Sequence, residues 1–273
     1  MRTNLLTTIA ILACLFFAVS AYGQSLTQGD TVPIFKVVHL VDLEQRLSDD
    51  ARTLGIKFDT MKNTRDDERM NYENDEFFLS RRYNNGYFLF RAKKVERTTV
   101  TKGGESAKMS DLENRTISLL EGLGVKRSEI HKVYTRRAVM QTENAEGLDV
   151  GQPETSHFMV VVTRQIMGVP VFNSSARFLY TPDGELFKAR FEWRTVEGEP
   201  VRMEKVNNPD IMQASNRERI AMRGNAAKLE IAAEGFAFVE GEFDAKQDVF
   251  ELQYYTEYNF GSFRNIVFTD AAD

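Results

Sequence analysis

His39, His131 and His157 are the only histidines in the chain, and none has a second histidine or a cysteine at the spacing a metal ion requires. Each is therefore expected as a packed or surface residue, with no metal and no cofactor. Cys14 is the single cysteine and sits in an apolar N-terminal run, so the rest of the chain lacks thiolate nucleophiles, disulfides and sulfur ligands for zinc. There is no Gly-x-Ser-x-Gly elbow, no phosphate-cradling glycine loop and no dinucleotide fingerprint. Carboxylates are abundant, and Asp66-Asp67-Glu68 or Glu240 with Glu242 could supply an acid and a base. A carboxylate-dependent hydrolase is thus one alternative. No pair stands out by spacing, however, and the expectation is a chain that is not an enzyme.

Binding chemistry is better represented than catalysis. The run Tyr254-Tyr255-Thr256-Glu257-Tyr258-Asn259-Phe260 is rich in aromatics, and strand alternation would place Tyr255, Glu257 and Asn259 opposite Tyr254, Thr256 and Tyr258. One face would enter the core and leave the other, with Tyr255, for a partner. Arg177, Lys188, Arg190 and Arg194 could form a basic strip across neighbouring strands, although a solvated sheet face is the plainer reading. The chain carries 35 Lys and Arg against 40 Asp and Glu, a net charge of −5, with both signs intermixed. That balance argues against nucleic acid or an anionic membrane as the main partner.

These residues must be delivered and positioned. Leu5 to Ala21 is uncharged, apolar and preceded by Arg2, which reads as a secretory signal over residues 1–21 and implies a secreted or periplasmic protein. If the segment stayed attached, it would be nearly long enough to span a bilayer, and the chain would be a membrane-anchored structural or surface-assembly protein. Polar residues do not follow Cys14, which argues against lipidation there.

Downstream, Ile34 to Val41 reads as a strand, and Asp42 to Leu54 as a helix with Leu43, Leu47, Ala51 and Leu54 on one face and Asp42 with Gln45 as its cap. Thr60 to Asp75 reads as a charged surface loop, and Glu76 to Ala92 as a hairpin turning through Asn84-Asn85-Gly86. Thr101 to Ser106, with Gly103-Gly104, is the best internal boundary, separating an α+β subdomain at 24–103 from a second unit at 104–273. In that unit Ser110 with Glu113 is expected to cap a helix ending before Gly124, and Pro209 to open a third helix running to about Glu234. Leu186 to Val196 alternates, with Phe187, Ala189, Phe191 and Trp193 opposite Lys188, Arg190, Glu192 and Arg194. Blocks of helix and consecutive strands point to an α+β fold in which antiparallel sheet is covered on one side by helices.

One segment carries a resemblance. Arg164 to Leu186 contains Gly168-Val169-Pro170-Val171-Phe172, a strand, and then Pro182-Asp183-Gly184. It resembles the propeptide region of thermolysin-like and fungalysin-like metallopeptidases and the related PepSY domains, over about Lys108 to Val196. The resemblance implies a PepSY/propeptide-like or cystatin-like architecture for 104–273. It also implies an intramolecular-chaperone or inhibitor role, although no His-Glu-x-x-His motif follows. The expectation is an exported binding module whose protein partner is a secreted metallopeptidase. Gly168, Val169, Pro170, Val171 and Phe172 would then offer a sheet edge to an added strand, with Tyr255 as a further contact.

Overall fold

The computed structural model describes residues 31–38, 42–66, 68–83, 86–94, 107–143, 149–196, 202–205, 208–222, 229–241, 247–260 and 263–270. The N-terminal segment 1–21 read as a signal, Cys14, His39, Asp67, the glycine-bearing stretch read as a boundary and Glu242 lie outside them. No described helix is long and apolar enough to cross a membrane.

Strand β1 (Thr31–Val38) precedes helix α1 (Leu43–Thr53), whose cap is the expected one: the Asp42 carboxylate accepts from the Gln45 N–H at 2.9 Å. Residues 60–75, expected as a loop, contain β2 (Lys62–Arg65) and β3 (Arg69–Glu73). The expected hairpin follows as β4 (Phe77–Arg82) and β5 (Tyr87–Ala92), which pair antiparallel. Helix α2 (Met109–Gly122) starts after Lys108 with no side-chain cap, and Ser110 donates instead to the Asp111 carboxylate. Long strands come next: β6 (Ile130–Glu143), β7 (Asp149–Ile166), β8 (Val169–Tyr180) and β9 (Leu186–Glu192). After the short β10 (Thr195–Val196) and β11 (Arg202–Lys205), helix α3 (Pro209–Ala221) has Pro209 in its first turn and the Asn208 side chain as its cap. Strands β12 (Leu229–Val239), β13 (Val249–Phe250), β14 (Leu252–Phe260) and β15 (Phe263–Asp270) complete the described chain.

The α+β class is corrected by this inventory. The protein is mainly β, with three α-helices among the described residues and one sheet that extends far beyond what the helices cover. The third helix ends at Ala221 and not near Glu234. Residues 229–234 are helix formers by composition, but they pair with Phe260 back to Thr256 on β14, and that cross-strand pairing overrides local propensity.

The large sheet is antiparallel across β6-β7-β8-β9-β5-β4-β3-β2, and β8 also makes a short parallel contact with β12, which leads to β14 and β15. A small sheet gathers β10, β11 and β13 around β1. Helices α1 and α2 pack on one face of the large sheet. Leu43, Leu47, Ala51, Leu112 and Leu120 meet the inward row Leu79, Phe88, Phe90, Val160, Phe178 and Phe191, all buried. A second core, built on Phe35, Ile166, Val171, Met212, Phe238 and Phe250, joins β1 and α3 to the seam between β8 and β12.

Candidate binding surface

Directly opposed residues of an antiparallel pair point to the same face, so register decides which side chains meet. Opposite the face that buries Phe88 and Phe178, three rows run across the sheet. One reads Tyr134, Val161, Arg177, Arg190, Leu89, Ser80, Asn71 and Thr64. The next reads Arg136, Met159, Leu179, Lys188, Arg91, Phe78, Glu73 and Lys62, and the third Lys132, Thr163, Ser175, Glu192 and Tyr87. Arg82 and Arg69, paired on β4 and β3, lie beyond Tyr87.

This face carries nine cations, Lys62, Arg69, Arg82, Arg91, Lys132, Arg136, Arg177, Lys188 and Arg190, against Glu73, Glu192 and, at the β2–β3 turn, Asp66, in a chain of net charge −5. Arg177 faces Arg190, Arg91 faces Lys188, and Arg69 faces Arg82. Like charges directly opposed across strands destabilise a sheet, by about 0.2–1 kcal/mol per pair. Local partners answer part of this. Arg190 reaches the Glu192 carboxylate at 2.7 Å and lies 5.6 Å from the Tyr87 ring centre, Arg69 reaches Asp66 at 2.7 Å, and Arg136 lies 5.5 Å from the Tyr134 ring. Burial raises the Tyr87 pKa, so its ring stays neutral beneath these guanidinium groups. Half-buried Phe78, Leu89, Met159 and Leu179 sit between the cations. A hollow of about 310 Å³, lined by Asn173, Ser175, Arg177, Arg190, Phe191 and Glu192, marks where β8 leaves β9.

The residues selected from sequence occupy a different place. Met167 and Gly168 both have positive φ, 51° and 82°, and form a two-residue hairpin turn between β7 and β8, not a corner that interrupts the ladder. Val169 and Pro170 pair with Ile166 and Gln165. Val171 is buried in the second core, and Val171 and Phe172 pair with Phe238 and Val239 of β12. Val171 pairs with Arg164 of β7 on one side and Phe238 of β12 on the other and offers no open edge for strand addition, and Phe172, in the register break between the Arg164–Val171 and Thr163–Ser175 pairs, pairs with Val239 of β12. Tyr255 does meet Phe172: their rings are 4.9 Å apart, with Phe268 at 5.4 Å from Phe172, and the trio closes the seam between β8 and the β14–β15 hairpin.

Of the suggested acids, Asp66 is engaged by Arg69, which holds its pKa below the usual carboxylate range, and Glu240 is buried between Arg164 and Arg194. His131 bonds the Gln165 side chain at 3.0 Å, and His157 lies against Ser156 and Phe187. Among the described residues no group of three metal-ligating side chains occurs.

Sequence reading missed two buried ionic groups. Glu129, Arg164, Glu240 and Arg194 form one chain, with Arg164 2.8 Å from Glu129 and 3.5 Å from Glu240, and Trp193 Nε1–H donating to Glu129 at 2.8 Å. Asp50 holds Arg81, whose guanidinium also lies over Phe88 and Phe191. The available signal was an arginine at an inward strand position, as in Leu79-x-Arg81 and Val160-x-Val162-x-Arg164.

No protein-family model and no curated protein matches the chain. Among solved structures it is similar to an uncharacterized protein from Eubacterium rectale, with a TM-score of 0.56, 8% identity, and coverage of 89% of this chain and 84% of that one. That likeness shows a shared fold. The YpeB C-terminal domain of Bacillus megaterium aligns at a TM-score of 0.39 and 12% identity, over 86% of this chain and 95% of that one.

Proposed function

We propose that this chain is a non-catalytic, exported binding module whose uncovered sheet face docks a protein partner presenting an acidic surface. The observation that supports it is the segregation of charge: three opposed cation pairs on one face of a chain that is acidic overall. Carboxylates from a partner would relieve that repulsion on binding, which makes the complex more favourable than the free surface. Arginine outnumbers lysine on the face and alternates with half-buried apolar residues, a composition that suits a protein interface, where guanidinium groups bind carboxylates bidentately around an apolar centre. The resemblance of Arg164 to Leu186 to peptidase propeptides makes an exported thermolysin-type metallopeptidase from the same source the first partner to test.

The experiment compares the mature chain with an Arg91→Glu, Arg177→Glu, Lys188→Glu variant in binding to that peptidase, with anionic lipid vesicles and a second copy of the chain as competing targets. The expected result is binding that weakens steeply with salt and is lost in the variant. Equal binding by both forms, or a preference for vesicles or self-association over the acidic protein, overturns the proposal.

A further inference from the structure

A second cavity, of about 260 Å³, lies where the end of α2 meets the sheet, away from the exposed rows of cations. Its walls are Arg46 of α1, Arg81 of β4, the Leu123-Gly124-Val125-Lys126 segment, Glu129, Phe191 and Trp193. Three cations therefore line it. Arg46 and Arg81 share one carboxylate, Asp50, and both also donate to the Leu123 carbonyl. The other carboxylate, Glu129, is already taken by Arg164, through Nε at 3.0 Å and Nη2 at 2.8 Å, and by the Trp193 indole N–H.

Capping a helix C-terminus accounts for one arginine here, since the partial negative charge on the last carbonyls attracts a cation. It does not account for two arginines with Lys126 added. The Nε of Arg46 is buried and makes no hydrogen bond, although Asp50 lies 3.5 Å away. Desolvation, and then repulsion from Arg81, lower the Arg46 pKa, opposed by the charges of Asp50 and Asp49.

We infer that this cavity is a binding site for a small oxyanion, a carboxylate or a phosphate group, held between Arg46, Arg81 and Lys126, with Trp193 in the cavity wall. The Arg81 Nε–Nη2 fork is held by Asp50 and Arg46 Nη2 by the Leu123 carbonyl, so an oxyanion would take the remaining guanidinium N–H groups of the two arginines, with Lys126 as a mobile third donor. Gly124, with φ of 82°, keeps the wall open: a side chain there would run into the Arg46 guanidinium. The site is independent of the exposed sheet face and does not rest on the protein-docking proposal.

Trp193 is the only tryptophan, so its indole N–H resonance is a unique reporter of the cavity. The mature chain is titrated separately with inorganic phosphate, with glutarate, and with chloride at matched ionic strength. A saturable displacement of the indole signal by phosphate or by glutarate, and not by chloride, is expected, and whichever acts at lower concentration names the natural chemistry. Exposed Lys126→Ala, which leaves the core untouched, should weaken the response about tenfold or more, and Arg46→Gln should do the same. A response that never saturates, that chloride reproduces, or that survives both substitutions overturns the site. A purely structural role for Arg46 predicts lower thermal stability in Arg46→Gln with the anion response intact, which would also overturn it.

Discussion

Arg177 of β8 and Arg190 of β9 stand directly opposite each other on the face of the sheet turned away from α1 and α2. A fold selected for stability alone would place opposite charges there, because such a pair contributes a few tenths to about 1 kcal/mol. Arg177→Glu is accordingly expected to raise the stability of the free chain, by about 0.2–1 kcal/mol in chemical denaturation, while weakening capture of the acidic partner. A variant that is both more stable and fully competent in binding would detach the charge pattern from function.

Glu240 is 1% exposed and stands between Arg164 and Arg194. Removing one partner from a buried ionic group leaves an uncompensated charge, whose cost is about 3–5 kcal/mol. Glu240→Gln should lower the urea midpoint accordingly, with the m-value unchanged if the unfolded state is unaffected. A loss below about 1 kcal/mol would mean that water or a rearranged neighbour satisfies the two guanidinium groups.

Gly124 and Gly168 share a φ of 82° but differ in surroundings. An added Cβ meets nothing within 4 Å at Gly168, whereas at Gly124 it meets the guanidinium of Arg46. Gly168→Ala should cost only the left-handed strain, about 1 kcal/mol, and leave partner binding unchanged. Gly124→Ala should cost more, about 2–3 kcal/mol, because it also displaces the cap on Leu123. Thermal melts of the two variants check the order, and strand addition at the Gly168 hairpin would reveal itself as lost partner binding there.

Tyr180 is buried beneath α2, its hydroxyl 2.8 Å from the Thr116 hydroxyl. Burial raises its pKa, opposed by the Thr116 hydrogen bond and the Arg115 charge, and burial likewise raises those of Tyr87, Tyr254 and Tyr255. The folded state holds these protons more tightly than the unfolded chain, so their stabilisation is complete below pH ~10 and is lost as pH climbs through the folded-state values. Stability should therefore fall on the alkaline side. Tyr180→Phe should cost about 1 kcal/mol at neutral pH yet make the alkaline decline shallower, measured as the denaturation midpoint from pH 8 to 11.

Sequence alone determined the features written among near neighbours: the Asp42 cap, the β4–β5 hairpin, the start of α3 at Pro209, and the inward row Ala189, Phe191 and Trp193 against outward Lys188 and Arg190. Periods of two or 3.6 residues and capping chemistry act within a turn or a strand, so they are legible without the fold. Arg194 marks where that legibility stops: alternation assigned it to the wet face, yet the strand ends at Glu192 and the side chain turns inward to Glu240. Only the tertiary structure decided that Arg91 faces Lys188, that Arg69 faces Arg82, and that β12 occupies the side of Val171 and Phe172 expected to be open. Those relationships join segments tens of residues apart, and the register that sets them comes from packing the whole inward face at once, which no local pattern encodes.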